Sequence, residues 1–165
     1  MSQHIILNHE QISHKITRMA YQIYETFIDE DRVVIAGIQG NGYRLAQLLA
    51  EEVARVAPLK TVLCEIRMDK SAPRNGISSE PPMENFADSG LVLVDDVLHS
   101  GTTLIYAVRY FLDIPLRKFK TAVLVDRNHK MYPVKADFKG ISLSTSLQEH
   151  VEVVLDGPER VAYLR

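Results

Sequence analysis

Cysteine is nearly absent: Cys64 is the single one among 165 residues. One thiol cannot close an intramolecular disulfide, so a scaffold stapled by disulfides is excluded. Its place in the apolar run Val62-Leu63-Cys64 favours a buried structural thiol over a nucleophile, as suits a reducing cytosol. Long apolar runs are missing too, none approaching the roughly 18 residues of a membrane span. The opening Met1-Ser2-Gln3-His4 shows no charged segment leading into an apolar one, so the protein is expected to be cytoplasmic and unexported. Nor is there an excess of charge. Lys and Arg number 19 against 21 Asp and Glu, a formal net charge of -2, which removes any general electrostatic case for nucleic-acid or membrane binding and leaves only local patches. What is present is ordinary, 46% hydrophobic and 24% charged residues. A chain of this length buries roughly 68–70% of the surface its unfolded form exposes, enough for one compact domain over residues 1–165.

Asn8 reads as a helix N-cap with Gln11 three residues on, and Ile12, Ile16, Met19, Ile23 and Phe27 then recur at helical spacing, predicting a helix over 9–28. Arg32 to Ile38 is a continuous β-branched run ending near glycines, the signature of a strand buried on both faces. Leu45, Leu48, Leu49, Val53 and Val56 form the stripe of a crossover helix stopped by Pro58, and Thr61 to Ile66 is the next strand. From Arg67 to Gly90 periodicity fades, so a mobile loop is expected, with residues 68–88 read as a flexible lid in preference to a plain linker. Strands resume at Leu91–Val94, Lys120–Asp126 and Val151–Leu155, with a helix opening near Gly101 whose stripe is Leu104, Ala107, Val108 and Phe111. Alternation of this kind predicts an α/β fold, doubly wound around a mostly parallel sheet with helices on both faces. Ligands in such sheets sit beyond the carboxyl ends of the strands.

The densest chemistry lies from Val92 to Leu104. An apolar strand delivers Asp95 and Asp96, and the turn His99-Ser100-Gly101-Thr102-Thr103 then offers backbone N–H groups and hydroxyls at a helix N-terminus. Amides at the positive end of a helix dipole suit a phosphate, while acceptor-only carboxylates suit sugar hydroxyls or a magnesium shell. A phosphorylated sugar meets both demands; the bland alternative is a capped, solvated turn. Gly40-Asn41-Gly42 also follows a strand and opens a helix, but Leu45 stands where a dinucleotide fingerprint needs its third glycine. The histidines at 4, 9, 14, 129 and 150 show no metal-ligand spacing.

These thirteen residues resemble the phosphoribosyl-diphosphate signature of type I phosphoribosyltransferases. The segments Leu124 to His129 and Pro133 to Gly140, with Thr17-Arg18 and the Gly37-Ile38 turn, further resemble the pyrimidine-operon regulator / uracil phosphoribosyltransferase family. The resemblance implies that fold with a small hood, and transfer of a phosphoribosyl group to a pyrimidine, uracil first, in nucleotide salvage. It implies that Asp95 and Asp96 face the ribose hydroxyls and that His99, Ser100, Gly101, Thr102 and Thr103 hold the 5-phosphate. Gln39, Gly40, Asn41 and Gly42 would bind diphosphate through amides held by a cis peptide. It also implies a Mg2+ ion carried by the diphosphate with no direct side-chain ligand, and a homo-oligomer. Phe138 would stack on the base, the Lys139 backbone would read its edge and Arg127 would sit near its carbonyl; a core aromatic and an ion-paired arginine are the alternatives. A histidine at 99, where 6-oxopurine enzymes carry an aspartate, argues for a pyrimidine. Two departures stand out. Asn41 replaces an arginine of the family, and the lid offers Arg67, Asp69, Lys70 and Arg74 instead of a Tyr-Arg-Asp-Asp run. Two rival functions follow, a degenerate sugar-phosphate-binding module and an RNA-binding regulator using Arg117, Lys118, Lys120, Lys130, Lys135 and Lys139.

Overall fold

The computed structural model describes residues 4–144 and 149–165. Strand β1 (His4–Leu7) leads into helix α1 (His9–Thr26). There Gln11 N donates to Asn8 Oδ1 at 2.8 Å while Asn8 N donates to Gln11 Oε1 at 2.9 Å. This reciprocal cap satisfies two backbone donors that an α-helix leaves orphaned. Then come β2 (Arg32–Ile38), α2 (Asn41–Val56), β3 (Lys60–Met68) and β4 (Ile77–Glu80). The second half runs β5 (Ser89–Leu98), α3 (Thr102–Phe111), β6 (Leu116–Arg127), β7 (Phe138–Leu143), β8 (Val151–Val154) and β9 (Val161–Leu164).

Six strands form the main sheet in the order β4-β3-β2-β5-β6-β7, parallel except for the edge strand β4, which runs antiparallel to β3. The period-two alternation sorts the strands' side chains between two cores. Val33, Ile35, Val92, Val94 and Leu124 pack under α1 and α2, whereas Val34, Ala36, Ile38, Leu91, Leu93 and Val123 pack under α3 with Leu104, Ala107 and Phe111. Both faces are thus covered, the reason these strands read as unbroken apolar runs. Burial of each large side chain here is worth about 1.5–3 kcal/mol. No helix among the described residues is long and apolar enough to cross a membrane.

Two expectations change. Val151–Val154 is a strand, but it belongs to a separate antiparallel sheet, β1-β9-β8, which makes the hood. The segment expected as a loop after Ile66 carries order of its own: β3 extends to Met68, and β4 returns along it with Met68 opposite Ile77 and Glu65 opposite Glu80. Farther on, Phe86 is buried in the α3-side core. This hairpin, an arm with residues 69–76 at its tip, has alternating exposure along β4, and Met68 and Ile77 pack its inner face against the α3-side core. Beyond these, β7 has no counterpart among the strands read from the sequence; it pairs in parallel with β6 from Ala122–Phe138 onward.

Candidate functional site

The sheet order fixes where a ligand can enter. From β2 the chain crosses through α2 to β3 on one side, and from β5 it crosses through α3 to β6 on the other. The connections leaving the carboxyl ends of β2 and β5 therefore diverge and open a crevice. Strand β5 carries Asp95 and Asp96 to that crevice. Asp95 is 4% exposed; its Oδ1 accepts from Asp96 N at 2.9 Å and lies 3.6 Å from Lys70 Nζ. Burial first, and the charge of Asp96 second, push the Asp95 carboxyl well above the usual carboxylate range, with Lys70 opposing them. The first turn of α2 touches this carboxylate so closely that a Cβ on Gly42 would sit 3.0 Å from Asp95 Oδ1. Asn41 Nδ2 donates to Asp96 Oδ2 at 3.3 Å and to Val153 O of the hood at 2.8 Å, so one amide joins acid pair, loop and hood.

Beside the carboxylates lies the amino end of α3. Gly101 takes φ 92° as its N-cap, a left-handed conformation that favours glycine. The Ser100 and Thr102 hydroxyls are 2.9 Å apart, and Thr102 N donates to Ser100 Oγ at 3.2 Å. Ser100 O accepts from Met131 N at 2.8 Å and Tyr132 N at 3.1 Å, tying the loop to the segment after β6. Arg127, buried at the end of β6, donates to His99 Nδ1 and, at 2.8 Å, to Glu149 O. A guanidinium only donates, so His99 accepts at Nδ1 and keeps its proton on Nε2. Burial, then the charges of Arg127 and His150, hold the His99 imidazolium below its ordinary range.

Asp95, Asp96, His99, Ser100, Gly101, Thr103, Asn41 and Arg127 all line one cavity of about 470 Å³. Gln39, Gly40 and Gly42 do not line it, and Thr102 lines a neighbouring cavity with Tyr106 and Tyr132. The turn at Gly40 makes its reversal with φ 92° and not with a cis peptide; the cis bond among the described residues is Glu80–Pro81. Phe138 and Lys139 are not brought to the cavity. Phe138, 7% exposed, is packed into the core beneath α1 and α2, where burial of the ring wins over presenting it to a ligand. The Lys139 ammonium lies 3.6 Å from Asp126 Oδ2, and its carbonyl accepts from Arg18 at 2.9 Å. Sequence reasoning missed the hood's contribution, His150 to Val153, and the presence of Lys70 in the lining. The first was hidden because β8 looked like one more strand of the main sheet. For Lys70 the signal was a cation in the lid opposite two acids. Among the described residues no three His, Cys, Asp or Glu side chains converge as a metal site.

An acid pair and a helix amino end share a crevice at the reversal of a doubly wound sheet, an arrangement suited to a phosphorylated sugar, and the chain belongs to the phosphoribosyltransferase family, a family of transferase enzymes. It matches the phosphoribosyl transferase domain over residues 2–156. Among its relatives, Bifunctional protein PyrR of Fusobacterium nucleatum is 34% identical over 97% of each chain. Bifunctional protein PyrR of Streptomyces coelicolor is 36% identical over 94% of this chain and 86% of its own. Among solved structures, the hypoxanthine phosphoribosyltransferase of Trypanosoma cruzi superposes with a TM-score of 0.78 at 15% identity, covering 96% of this chain and 95% of that one. That likeness concerns the fold.

Proposed function

We propose that this chain transfers the phosphoribosyl group of phosphoribosyl diphosphate to a pyrimidine base, uracil first, releasing diphosphate. The observation that carries the reading is that Asp95, Asp96 and the amino end of α3 open into the same cavity, so that a sugar's hydroxyls and its 5-phosphate are met together. The α3 amides and the Ser100 and Thr103 hydroxyls hold the phosphate. Asp95 and Asp96 accept the ribose hydroxyls. As the bond from C1 to diphosphate breaks, positive charge grows on the sugar ring, and the two carboxylates stabilise a charge that exists fully only in the transition state. No covalent nucleophile is required. A magnesium ion, if bound, would supply charge neutralisation of the leaving diphosphate, with Asp95 and Asp96 the carboxylates beside it. Hood and arm exclude water that would hydrolyse the activated sugar. For the base, the His99 Nε2–H donor and the neighbouring Arg127 are the polar groups that replace Phe138 and Lys139.

Diphosphate release measured across uracil, orotate, hypoxanthine, guanine and adenine, with Mg2+ present, tests the reading. Release with uracil alone is expected, falling by about 10² or more in a folded Asp95→Asn/Asp96→Asn variant. A purine preference would overturn the pyrimidine assignment, and an undiminished double variant the ribose assignment. Binding without release from any base would make the chain a degenerate sugar-phosphate-binding module. RNA-dependent regulation is the second reading, kept because the relatives at 34% and 36% identity are called bifunctional.

A further inference from the structure

The hood is a sheet with an open edge. In its order β1-β9-β8, strand β8 pairs with β9 on one side and has no strand partner on the other among the described residues. An edge strand leaves outward-facing backbone groups that something else must satisfy. At Val153 a side chain does so: Asn41 Nδ2, from the first residue of α2, donates to Val153 O at 2.8 Å. Its second proton goes to Asp96 Oδ2 at 3.3 Å. An amide nitrogen carries two protons, so this one is fully committed, one to the hood and one to the acid pair. One turn farther along α2, Arg44 Nε lies 3.7 Å from Asp156 Oδ1 just past β8, but that carboxylate is 87% exposed, and an ion pair so wet contributes little. The Asn41 amide is thus the stronger of these two polar ties between α2 and the hood, and it acts at the cavity, where Asn41, Asp96 and Val153 all belong to the lining.

We infer that Asn41 is a positioning residue: through one nitrogen it orients the Asp96 carboxylate for the sugar and holds the hood at the base end of the cavity, and its side chain is not a diphosphate ligand. The inference rests on the function proposed above, which gives Asp96 to the ribose and the neighbourhood of His99 and Arg127 to the base. The hood reaches that neighbourhood directly, since Arg127 Nη2 donates to Glu149 O at 2.8 Å and His150 and Val151 line the same cavity. A shift of about 1 Å in a supporting group is enough to be felt in binding and rate. Loosening β8 is therefore felt by the base, and releasing Asp96 by the sugar.

Asn41→Ala removes both donors at a helix position that alanine favours. Hydrogen exchange of the ligand-free wild type and variant reads the tie by itself: amides of Val151 to Val154 that pair with β9 should exchange about tenfold faster, the size expected for one lost hydrogen bond, while those of β2 and β5 stay as they were. Kinetics and calorimetric titration with Mg2+ read the consequence. KM for uracil should rise about tenfold at saturating phosphoribosyl diphosphate. Affinities for phosphoribosyl diphosphate and for ribose 5-phosphate, which has the sugar and the 5-phosphate but no diphosphate, should fall by one common factor, because the amide acts on the sugar through Asp96. A greater loss for phosphoribosyl diphosphate would make Asn41 a diphosphate ligand, and unchanged β8 exchange, affinities or KM would leave the bond without a role; each overturns the inference. A wild-type protein that binds neither ligand would overturn the sugar-phosphate reading and this inference with it, and faster β8 exchange in the variant would tell that failure from the absence of the tie.

Discussion

At Asp95 binding and stability oppose each other. An unfolded aspartate titrates near pH ~3.9, and in the folded chain burial and Asp96 raise that value. Below the unfolded value both states are protonated and the buried group costs nothing. As pH climbs from there through the folded value the unfolded chain releases its proton first, so stability is lost across that window and the loss is constant above it. Asp95→Asn abolishes the titration. In magnesium-free buffer the variant should match the wild type near the acid end and gain a Tm advantage that grows toward neutral pH and then levels off. For about 2 kcal/mol of relief from burying a charge, calorimetry should read roughly 4–8 °C in a chain of this size. A Tm difference independent of pH would refute the account. The same substitution should depress transfer, the usual exchange of stability for a functional site. The acid pair was legible in the sequence because strand, carboxylates and glycine turn are consecutive. Asn41 was not: its partners Asp96 and Val153 lie 55 and 112 residues away. Phe138 was left between two readings because a core ring and a stacking ring look alike until the packing of α1 against β7 is known.

At the scale of elements, the arm and the hood account for most of the differences. Helices α1, α2 and α3 and the buried strands announce themselves by caps and periodicity, whereas β1, β4, β8 and β9, each of 4 residues, are too short to show a period and depend on their partners. The arm was expected to be mobile along its whole length, 68–88. With β4 paired to β3 and Phe86 buried, its amides should divide into two classes. Those of Ile77 to Glu80 that pair with β3 should resist hydrogen exchange without ligand. Those of residues 69–76, tied only by short-range bonds such as Ser71 N to Asp69 Oδ1, should exchange faster than β4 and become protected when phosphoribosyl diphosphate and Mg2+ bind, as a gating tip requires. Uniform fast exchange over 68–88 would mean that the hairpin does not persist in solution. Unchanged exchange at the tip on adding ligand would reduce the arm to an ordinary connection.

On the scale of the molecule, strand order supplies the crevice, and the doubly wound class was readable from the alternation of strands and helices. Charge is distributed on the same scale, and it bears on the choice between enzyme and RNA-binding regulator. Five of the six basic residues singled out as a possible RNA face, all but Lys120, are already engaged within the fold. Arg117 lies 3.3 Å from Glu30, Lys135 lies 3.5 Å from Asp137, and Lys130 and Lys139 converge on the buried Asp126 at 3.2 and 3.6 Å. Lys118 donates to Thr26 O at 2.6 Å and lies over the Phe27 ring. A phosphate backbone would have to compete with these carboxylates one by one, with no net positive charge behind it, since the chain carries -2. Each phosphate contact on a single strand contributes a slope of about -0.7 to log K against log salt. Binding of a single-stranded RNA should therefore be weak, steep in salt and indifferent to sequence, and Arg117, Lys118, Lys130 and Lys135 changed together to alanine should lower the slope without touching diphosphate release. Electrophoretic mobility shifts over a salt series measure it. Tight, sequence-selective binding at physiological salt, abolished by those four substitutions and shifted by added uridine nucleotide, would make regulation the primary function and the transferase site its sensor.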